Sequence, residues 1–281
     1  MQPGLGGAPQ HRPTAVTAAA GDNAPGPSST SPVVTVAPPL TPAKKAREPT
    51  LLCTSVTATT VAGAVAEIGE AARAGATAVE LRLDFLEPAE LWVKQGEGGA
   101  ADPGPALSTL LAAAAGASLP AIVTFRPAWE GGQYTGPEPP RLATLKLAAL
   151  LGAPYVDVEA AAAGAFFAGA GDVPPATRVI LSHHDYERTP PPDELVAMAA
   201  AFFDAGADVA KIATTAAGGP PDAARVLSAA AAARGPTIAL AMGEAGLASR
   251  LLAPKYGAAL TFGALSPARA SAPGQPSLAD L

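Results

Sequence analysis

Residues 79–84, Val79-Glu80-Leu81-Arg82-Leu83-Asp84, decide how the fold of this chain is interpreted. A β-strand points successive side chains to opposite faces, so Glu80, Arg82 and Asp84 share one face. On a solvent-exposed edge strand, three charged side chains on one face would simply be solvated and would indicate no function. In a barrel, helices cover the outside of each strand, so the charged face would point into the barrel mouth, where charges are costly unless paired or used. We therefore predict functional roles for Glu80 and Arg82, whereas Asp84 fits a turn or cap residue equally well.

A strand–helix order repeats along the chain after Thr50. Short apolar runs predict eight strands, at residues 51–56, 78–84, 121–125, 155–158, 179–183, 208–213, 237–241 and 258–262. Helices are predicted near residues 60–74, 105–115, 139–151, 160–170, 191–204, 221–234 and 245–252. Eight strands in about 230 residues favour an α/β fold, a (β/α)8 TIM barrel. The alternative, a doubly wound sheet, usually has a glycine-rich loop after its first strand, which the sequence 51–57 lacks. Residues 94–105 predict an irregular surface loop.

The composition excludes several classes of protein. Of the 281 residues 49% are hydrophobic and 15% are charged, so the chain can bury a core and is not disordered throughout. The net charge of −6 argues against a nucleic-acid partner held by basic attraction. The single cysteine, Cys53, excludes an internal disulfide framework and a paired-cysteine metal or redox site. The uncharged run between Asp102 and Arg126 is broken by Gly116 and Pro120, which predicts helix, turn and strand, not a membrane span.

Residues 1–48 differ in composition from the rest of the chain. They hold 9 of the 31 prolines and no aromatic residue, with four basic side chains against Asp22 and Glu48. Such a stretch cannot build a core, so we expect a disordered tail followed by one domain over residues 49–281. Its hydroxyl-rich, acid-poor character also fits an organelle transit peptide. The alternative is a disordered tail that has no targeting role.

Lys211 is the sharpest chemical signal in the sequence. It lies within residues 208–213, DVAKIA, among small and apolar neighbours in a predicted central strand. Burial disfavours the ammonium and lowers the pKa of a lysine, which yields the neutral amine that attacks a carbonyl. We predict a nucleophilic lysine. The alternative is a lysine at a sheet edge with its amine in solvent.

His183 and His184 end another predicted strand and are the only histidines after His11. Strand alternation points them to opposite faces, so one of them is expected to face the site. A histidine at the mouth of a barrel is well placed for acid–base chemistry. The alternative is a histidine packed on a helix or exposed to solvent.

Arginines complete the predicted pocket. Arg126 ends a strand and is followed by Glu130 on a glycine-containing loop, and Arg250 belongs to a short predicted helix. Together with Arg82 and Lys211, these arginines would form a cationic pocket for a small anionic, hydroxylated substrate, because the guanidinium fork matches carboxylates. Arg250 taken alone also fits a solvated helix arginine.

Short motifs over residues 50–280 resemble type I 3-dehydroquinate dehydratase. They occur in the order of that family: VELRLDFL (79–86), TFRP (124–127) with EGG (130–132), SHHDY (182–186) with TP (189–190), AKI (210–212), MG (242–243), SR (249–250), TFG (261–263) and SAPGQ (271–275). The resemblance implies a (β/α)8 barrel that converts 3-dehydroquinate to 3-dehydroshikimate in the shikimate pathway of aromatic amino-acid biosynthesis. It also implies a lysine imine and no cofactor or metal.

The resemblance also implies residue roles. Lys211 would form the imine, His184 would be the general acid/base, and Glu130 would orient that histidine. His183 falls at a position that the family fills variously and receives no role. The expected substrate-binding residues are Glu80, Arg82 and Arg126 for substrate oxygens, Arg250 for the carboxylate, Met242 and Phe262 for the apolar walls, and Ser271 and Gln275 for the closing loop.

Two features depart from the family pattern. The sequence ends at residues 277–281, where a last barrel helix should begin, so we expect a truncated eighth helix and a natural chain that continues. In plants and related eukaryotes this domain resembles the first half of a fusion with shikimate dehydrogenase, which would make the tail a plastid signal; otherwise the protein is expected to be cytoplasmic. A homodimer is the other expected assembly. Loop 94–105 is also longer and richer in glycine than expected.

Two other functions remain open at this point. Another imine-forming barrel, such as a class I aldolase, would explain Lys211 but not the SAPGQ loop or the position of the histidines. An inactive barrel that serves as a fusion or binding module would explain the truncated helix but not the complete set of polar residues.

Overall fold

A computed structural model describes residues 48–94, 100–168 and 173–281. Its strands are β1 (Leu51–Val56), β2 (Ala78–Arg82), β3 (Val93–Lys94), β4 (Ala101–Asp102), β5 (Ala121–Thr124), β6 (Tyr155–Glu159), β7 (Arg178–His184), β8 (Val209–Thr215), β9 (Thr237–Met242) and β10 (Leu260–Phe262). Eight of them form one sheet in the order β10-β1-β2-β5-β6-β7-β8-β9, with all neighbours parallel. The Ala259 amide donates to the Thr237 carbonyl over 2.9 Å, so the outermost strands β9 and β10 meet and the barrel is nearly closed. The predicted barrel is confirmed.

Helices lie between consecutive barrel strands. They are α1 (Val61–Arg73), α2 (Pro88–Leu91), α3 (Gly104–Gly116), α4 (Glu138–Leu150), α5 (Ala163–Ala168), α6 (Pro192–Asp204), α7 (Pro221–Ala232), α8 (Leu247–Leu251) and α9 (Ala253–Tyr256). Thr60 caps α1 by accepting a hydrogen bond from the Gly63 amide. Pro192 begins α6, a position at which a backbone N–H would have no hydrogen-bond partner within the helix. Within the described residues, no helix has the length and apolar character needed to cross a bilayer.

Two cores flank the barrel wall. The larger one packs helix residues such as Ile68, Leu110 and Val226 against outward-facing strand residues such as Val79 and Val123. The second lies inside the barrel and includes Ala78, Ile122, Ile180, Val209 and Leu260. Two residues further along the same strands, the inward positions carry Glu80, Thr124, Ser182, Lys211 and Phe262. The period of two thus puts an apolar floor beneath a mostly polar layer, and this layer positions the site.

The structure differs from the predicted elements in a few places. Strand β2 ends at Arg82, and a 3-10 turn over Leu83–Phe85 replaces its predicted last residues because the Leu86 amide donates back to the Leu83 carbonyl. The predicted irregular loop 94–105 instead has paired ends, since β3 and β4 form a short antiparallel ladder, and α3 already begins at Gly104. Residues 95–99 of that loop, and residues 1–47 of the predicted tail, lie outside the described residues. After β10 the chain to Leu281 carries two 3-10 turns, Pro267–Arg269 and Leu278–Asp280.

Candidate active site

One pocket at the carboxyl ends of the strands collects all the predicted site residues. Its lining includes Glu80, Arg82, Arg126, Glu130, His184, Lys211, Met242, Arg250, Phe262, Ser271 and Gln275, together with Gly131, Tyr186, Ala213, Leu240 and Ala272. Parallel strands bring these residues together because their carboxyl ends all meet at one end of a barrel.

Lys211 lies at the base of the pocket between two carboxylates. Its Nζ donates to Asp157 Oδ2 over 2.7 Å and to Glu80 Oε1 over 3.1 Å, and it lies 4.9 Å from the centre of the Phe262 ring. Glu80 is itself held by hydrogen bonds from Ser55 (2.6 Å) and Thr124 (3.1 Å). The lysine is therefore buried, as predicted, and its amine is fixed in direction.

The charge state of Lys211 differs from the sequence prediction. Burial alone lowers the pKa of Lys211, but the nearby carboxylates of Asp157 and Glu80 outweigh burial and raise this pKa above its ordinary value. Arg126 acts in the opposite direction and more weakly. The prediction of a partly neutral amine is therefore wrong: the two carboxylates favour the ammonium form of Lys211. For Glu80, burial raises the pKa, but Lys211 and Arg82 outweigh it and lower the pKa to about 2.

Strand β6 contributes two carboxylates that sequence reasoning missed. Asp157 and Glu159 are fully buried, and both contact Arg126: its Nη2 lies 2.9 Å from Asp157 Oδ1 and its Nη1 lies 2.6 Å from Glu159 Oε1. Arg141 of α4, also fully buried, forms an ion pair with Glu159 over 2.5 Å. The signal was present in YVDVE (155–159), where acidic and apolar residues alternate as they do in β2.

His184 and Glu130 form the expected pair. His184 Nδ1 lies 2.9 Å from Glu130 Oε2, which leaves Nε2 for a ligand in the pocket. Burial and the charge of Arg126 lower the pKa of His184 to about 4, against the opposing effect of Glu130, so the imidazole is neutral at pH 7. Tyr186 covers the pair: its ring stacks on His184 and its hydroxyl donates to the Glu130 carbonyl over 3.2 Å. Gly131 has φ +76°, which favours glycine, and a Cβ there would meet the Tyr186 hydroxyl at 2.0 Å, so a larger residue would strain the backbone and displace the Tyr186 ring.

His183 also reaches Glu130, which strand alternation did not predict. Its Nδ1 lies 3.4 Å from Glu130 Oε1, the oxygen that His184 leaves free. The strand ends at His184, and the loop carrying Glu130 reaches over this end, so both rings contact one carboxylate. The His183 side chain is 40% exposed, whereas that of His184 is 11% exposed.

The arginines of the pocket are mostly neutralised. Arg82 donates two hydrogen bonds to Asp84, over 2.8 and 2.7 Å, and Asp84 in turn accepts from the backbone amides of Arg126 and Gln133. The ion pairs of Arg82, Arg126 and Lys211 therefore correct the predicted cationic pocket, and Asp84 is a buried partner of Arg82.

Arg250 is the exception among these cations. It is 2% exposed, and its Nε and Nη2 have no hydrogen-bond partner. Burial lowers its pKa to about 10, still far above neutral, so the guanidinium stays charged. A buried, charged guanidinium with two unpartnered nitrogens at a pocket wall is a binding position for an anion.

The loop after β10 closes one side of the pocket. Ser271 Oγ lies 3.0 Å from Gln275 Oε1 and 3.0 Å from Ser55 Oγ, and the Ser271 amide donates to Gln275 Oε1 over 2.8 Å. Gly274 has φ +66°, and a Cβ there would meet the Gly243 backbone at 2.3 Å. Because Ser55 also binds Glu80, the loop is tied by hydrogen bonds to the carboxylate that contacts Lys211.

Comparison with known proteins assigns the chain to a family. A family model described as type I 3-dehydroquinase matches residues 52–281. This chain belongs to the type I 3-dehydroquinase family. Among curated members, it is 41% identical over 236 residues to the chloroplastic bifunctional 3-dehydroquinate dehydratase/shikimate dehydrogenase of Arabidopsis thaliana, a match that covers 84% of this chain and 36% of that protein. It is 32% identical to the 3-dehydroquinate dehydratase of Desulfotalea psychrophila, over 74% of this chain and 85% of that protein.

A solved structure from the same family has the same fold. It is the type I 3-dehydroquinate dehydratase of Clostridium difficile with covalently modified comenic acid, with a TM-score of 0.68, 26% identity, and coverage of 83% of this chain and 89% of that one. The family assignment sets aside the aldolase alternative. The chain spans about a third of the length of its bifunctional Arabidopsis relative. In residues 48–94, 100–168 and 173–281, no group of three or more His, Cys, Asp or Glu side chains could hold a metal ion.

Proposed function

We propose that this domain is a lyase that dehydrates 3-dehydroquinate to 3-dehydroshikimate through an imine on Lys211. One observation carries the proposal: a buried lysine, a histidine paired with a carboxylate, and a buried arginine with two unpartnered nitrogens line the same pocket. These three groups supply a nucleophile for a ketone, a base for a neighbouring C–H, and a site for the substrate carboxylate. The curated relatives carry this activity in their names.

The first stage forms the covalent intermediate. Lys211 gives up one ammonium proton, which the carbonyl oxygen takes up as Nζ bonds to the C3 carbon of the substrate. The resulting hydroxyl takes a second proton from the nitrogen and leaves as water, so that a protonated imine remains. Asp157 and Glu80, which accept hydrogen bonds from Nζ, hold the amine in position and stabilise the positive charge that the imine retains. Because the resting amine is an ammonium ion, imine formation becomes faster as the pH rises toward the pKa of Lys211.

The second stage removes water from the ring. His184 takes the C2 proton, and the electron pair of the broken C–H bond moves toward the imine nitrogen. The C1 hydroxyl then leaves with the proton returned by His184, and the electron pair forms the C1–C2 double bond. Hydrolysis of the imine releases the product and restores Lys211. A neutral imidazole suits the first of these transfers and the imidazolium suits the second, and Glu130 fixes the ring and stabilises the imidazolium.

Other pocket residues position the substrate. Arg250 binds the carboxylate, Arg82, Arg126 and Glu80 face the substrate oxygens, and Met242 and Phe262 form the apolar walls. Ser271 and Gln275 close the pocket, a role supported by the contact of Ser271 with Ser55 and by the contact between Ser271 and Gln275 within the loop. The reaction as written needs neither a metal nor a cofactor.

The imine is tested by trapping it. Borohydride reduces an imine to a stable secondary amine, so treatment with 3-dehydroquinate and borohydride should add one ligand mass to the protein, on the peptide containing Lys211. The variant Lys211→Ala should show no adduct and almost no turnover. Lys146→Ala and Lys255→Ala are matched controls that should still be trapped. Turnover by the wild-type protein without any adduct would refute the imine mechanism.

We further propose that residues 1–48 direct the protein to plastids, that residues 49–281 form the dehydratase domain, and that it functions either as a homodimer or fused to a shikimate dehydrogenase beyond Leu281. The chloroplastic Arabidopsis relative supports the location and the fusion. A reporter placed behind residues 1–48 should enter plastids, and a diffuse cytosolic signal would contradict the targeting role. Sedimentation of the purified domain tests the dimer, and sequencing the gene past Leu281 tests the fusion.

A further inference from the structure

The carboxylate of Glu130 lies between two imidazole rings. Oε2 contacts His184 Nδ1 at 2.9 Å, and Oε1 lies 3.4 Å from His183 Nδ1. The two rings differ in their access to solvent: the His183 side chain is 40% exposed and that of His184 is 11% exposed. The carboxylate that orients the proposed base therefore has a second titratable partner, and this partner can exchange protons with the solvent.

We propose that His183 is a positioning residue that sets the basicity of His184 through their shared partner, Glu130. When His183 is protonated, its N–H binds Oε1 and draws negative charge away from Oε2. Glu130 then stabilises the imidazolium of His184 less, and His184 becomes a weaker base. When His183 is neutral, the full negative charge of Glu130 stabilises the imidazolium of His184, and His184 is a stronger base. The kinetic consequence rests on the dehydratase function proposed above, but the coupling between the rings does not.

Other charged groups also act on this cluster. Arg126 Nη1 lies 3.7 Å from Glu130 Oε2, and burial, the two histidines and Arg126 together leave the pKa of Glu130 below its ordinary value. Lys211 and Arg126 act on His184 from inside the pocket, and Asp185, the residue directly after β7, acts on His183. The contact with Glu130, opposed by partial burial, raises the pKa of His183 above 6.5, whereas that of His184 falls to about 4. His183 therefore holds its proton more tightly than His184 does, and the two rings of the cluster titrate at different pH.

Histidine titration by NMR tests the coupling directly. The chain has three histidines, so the ring signals of His183 and His184 can be assigned by substitution. His183→Gln keeps a donor for Glu130 but carries no charge. The titration midpoint of His184 should rise in this variant by on the order of one pH unit, because a cation two contacts away has been removed. Glu187→Gln, which alters one exposed charge on the adjacent loop, is the control and should leave the midpoint unchanged. His183→Asn supplies the same comparison if the glutamine variant folds poorly. An unmoved His184 midpoint overturns the inference.

Kinetics test the consequence. The ratio of kcat for His183→Gln to kcat for the wild type cancels the effect of Lys211 protonation, since both proteins share it. This ratio should be close to one above the pKa of His183. Below that pKa it should rise to roughly threefold, because His184 in the variant is a stronger base than His184 beside a protonated His183 in the wild type. His183→Ala should retain most of the activity at high pH. A ratio that stays flat with pH overturns the inference. Absence of turnover in the wild type at every pH would instead refute the proposed function, and the NMR titration would still decide the coupling.

Discussion

Replacing Arg250 with methionine should make the protein more stable and a much poorer enzyme. Arg250 is buried, and two of its guanidinium nitrogens have no partner. Burial lowers its pKa from 12.5 to about 10, so the folded state holds the proton less tightly than the unfolded state does. At 1.36 kcal/mol per pKa unit, this difference corresponds to about 3 kcal/mol of lost free energy of unfolding. The penalty is fully present at neutral pH, because it disappears only as the pH rises above about 10.

The substitution should change the free energy of unfolding and KM for different reasons. Arg250→Met keeps a long apolar side chain and removes the charge, so the free energy of unfolding should rise by about 1–3 kcal/mol, less any packing defect. The substrate carboxylate then loses its partner, and truncation of such a buried charged pair costs about 2–5 kcal/mol, which raises KM by about thirtyfold or more. Arg250→Lys should recover part of the binding, because it restores the charge but not the two-pronged fork.

Urea denaturation and steady-state kinetics measure the two effects. Product formation can be followed by ultraviolet absorbance, because dehydration conjugates the new double bond with the carbonyl. Arg188→Met is the matched control: its side chain is 65% exposed and lies 3.8 Å from Glu194, so its loss should change stability by less than about 0.5 kcal/mol. A destabilised Arg250→Met protein, or one with an unchanged KM, would show that Arg250 is not an uncompensated charge kept for substrate binding.

Three further substitutions probe the remaining groups. His184→Ala should abolish dehydration while leaving an imine that borohydride can trap, because the lysine alone makes the attack; residual turnover near the wild-type rate would contradict this role. Glu80→Gln should flatten the loss of thermal stability on acidification, because the carboxylate, with a pKa lowered from 4.5 to about 2, contributes about 3 kcal/mol above pH 4.5 that is lost as the pH falls through about 2. Melting temperatures between pH 6 and pH 2 would test this. Asp157→Asn should lower the pKa of Lys211 and shift the pH dependence of imine trapping to lower pH, while costing about 3–5 kcal/mol of stability because it breaks a buried pair. An unshifted profile would mean that Asp157 does not control the lysine.

Local patterns in the sequence determined the barrel and its mouth. The alternation in residues 79–84 depends only on the two-residue period of a strand, and it correctly placed Glu80 and Arg82 on the inner face. The strand–helix order similarly predicted the parallel sheet, because a parallel connection needs a crossover element. The same alternation in β6 would have revealed Asp157 and Glu159.

The tertiary structure decided which charges are paired. The pKa of Lys211 depends on every charge within a few ångströms. Its main partner, Asp157, lies on β6, two strands away in the sheet, so burial inferred from sequence neighbours alone gave the wrong direction for the pKa. Likewise, Arg82, Arg126 and Arg250 look alike in sequence, but only the packing shows that the first two have carboxylate partners and that Arg250 has unpartnered nitrogens. Strand alternation separated His183 from His184, yet a loop from another part of the chain brings Glu130 to both. A residue's type and its strand position are local properties, whereas electrostatic energy is a sum over neighbours in space, and only the closed barrel determines those neighbours.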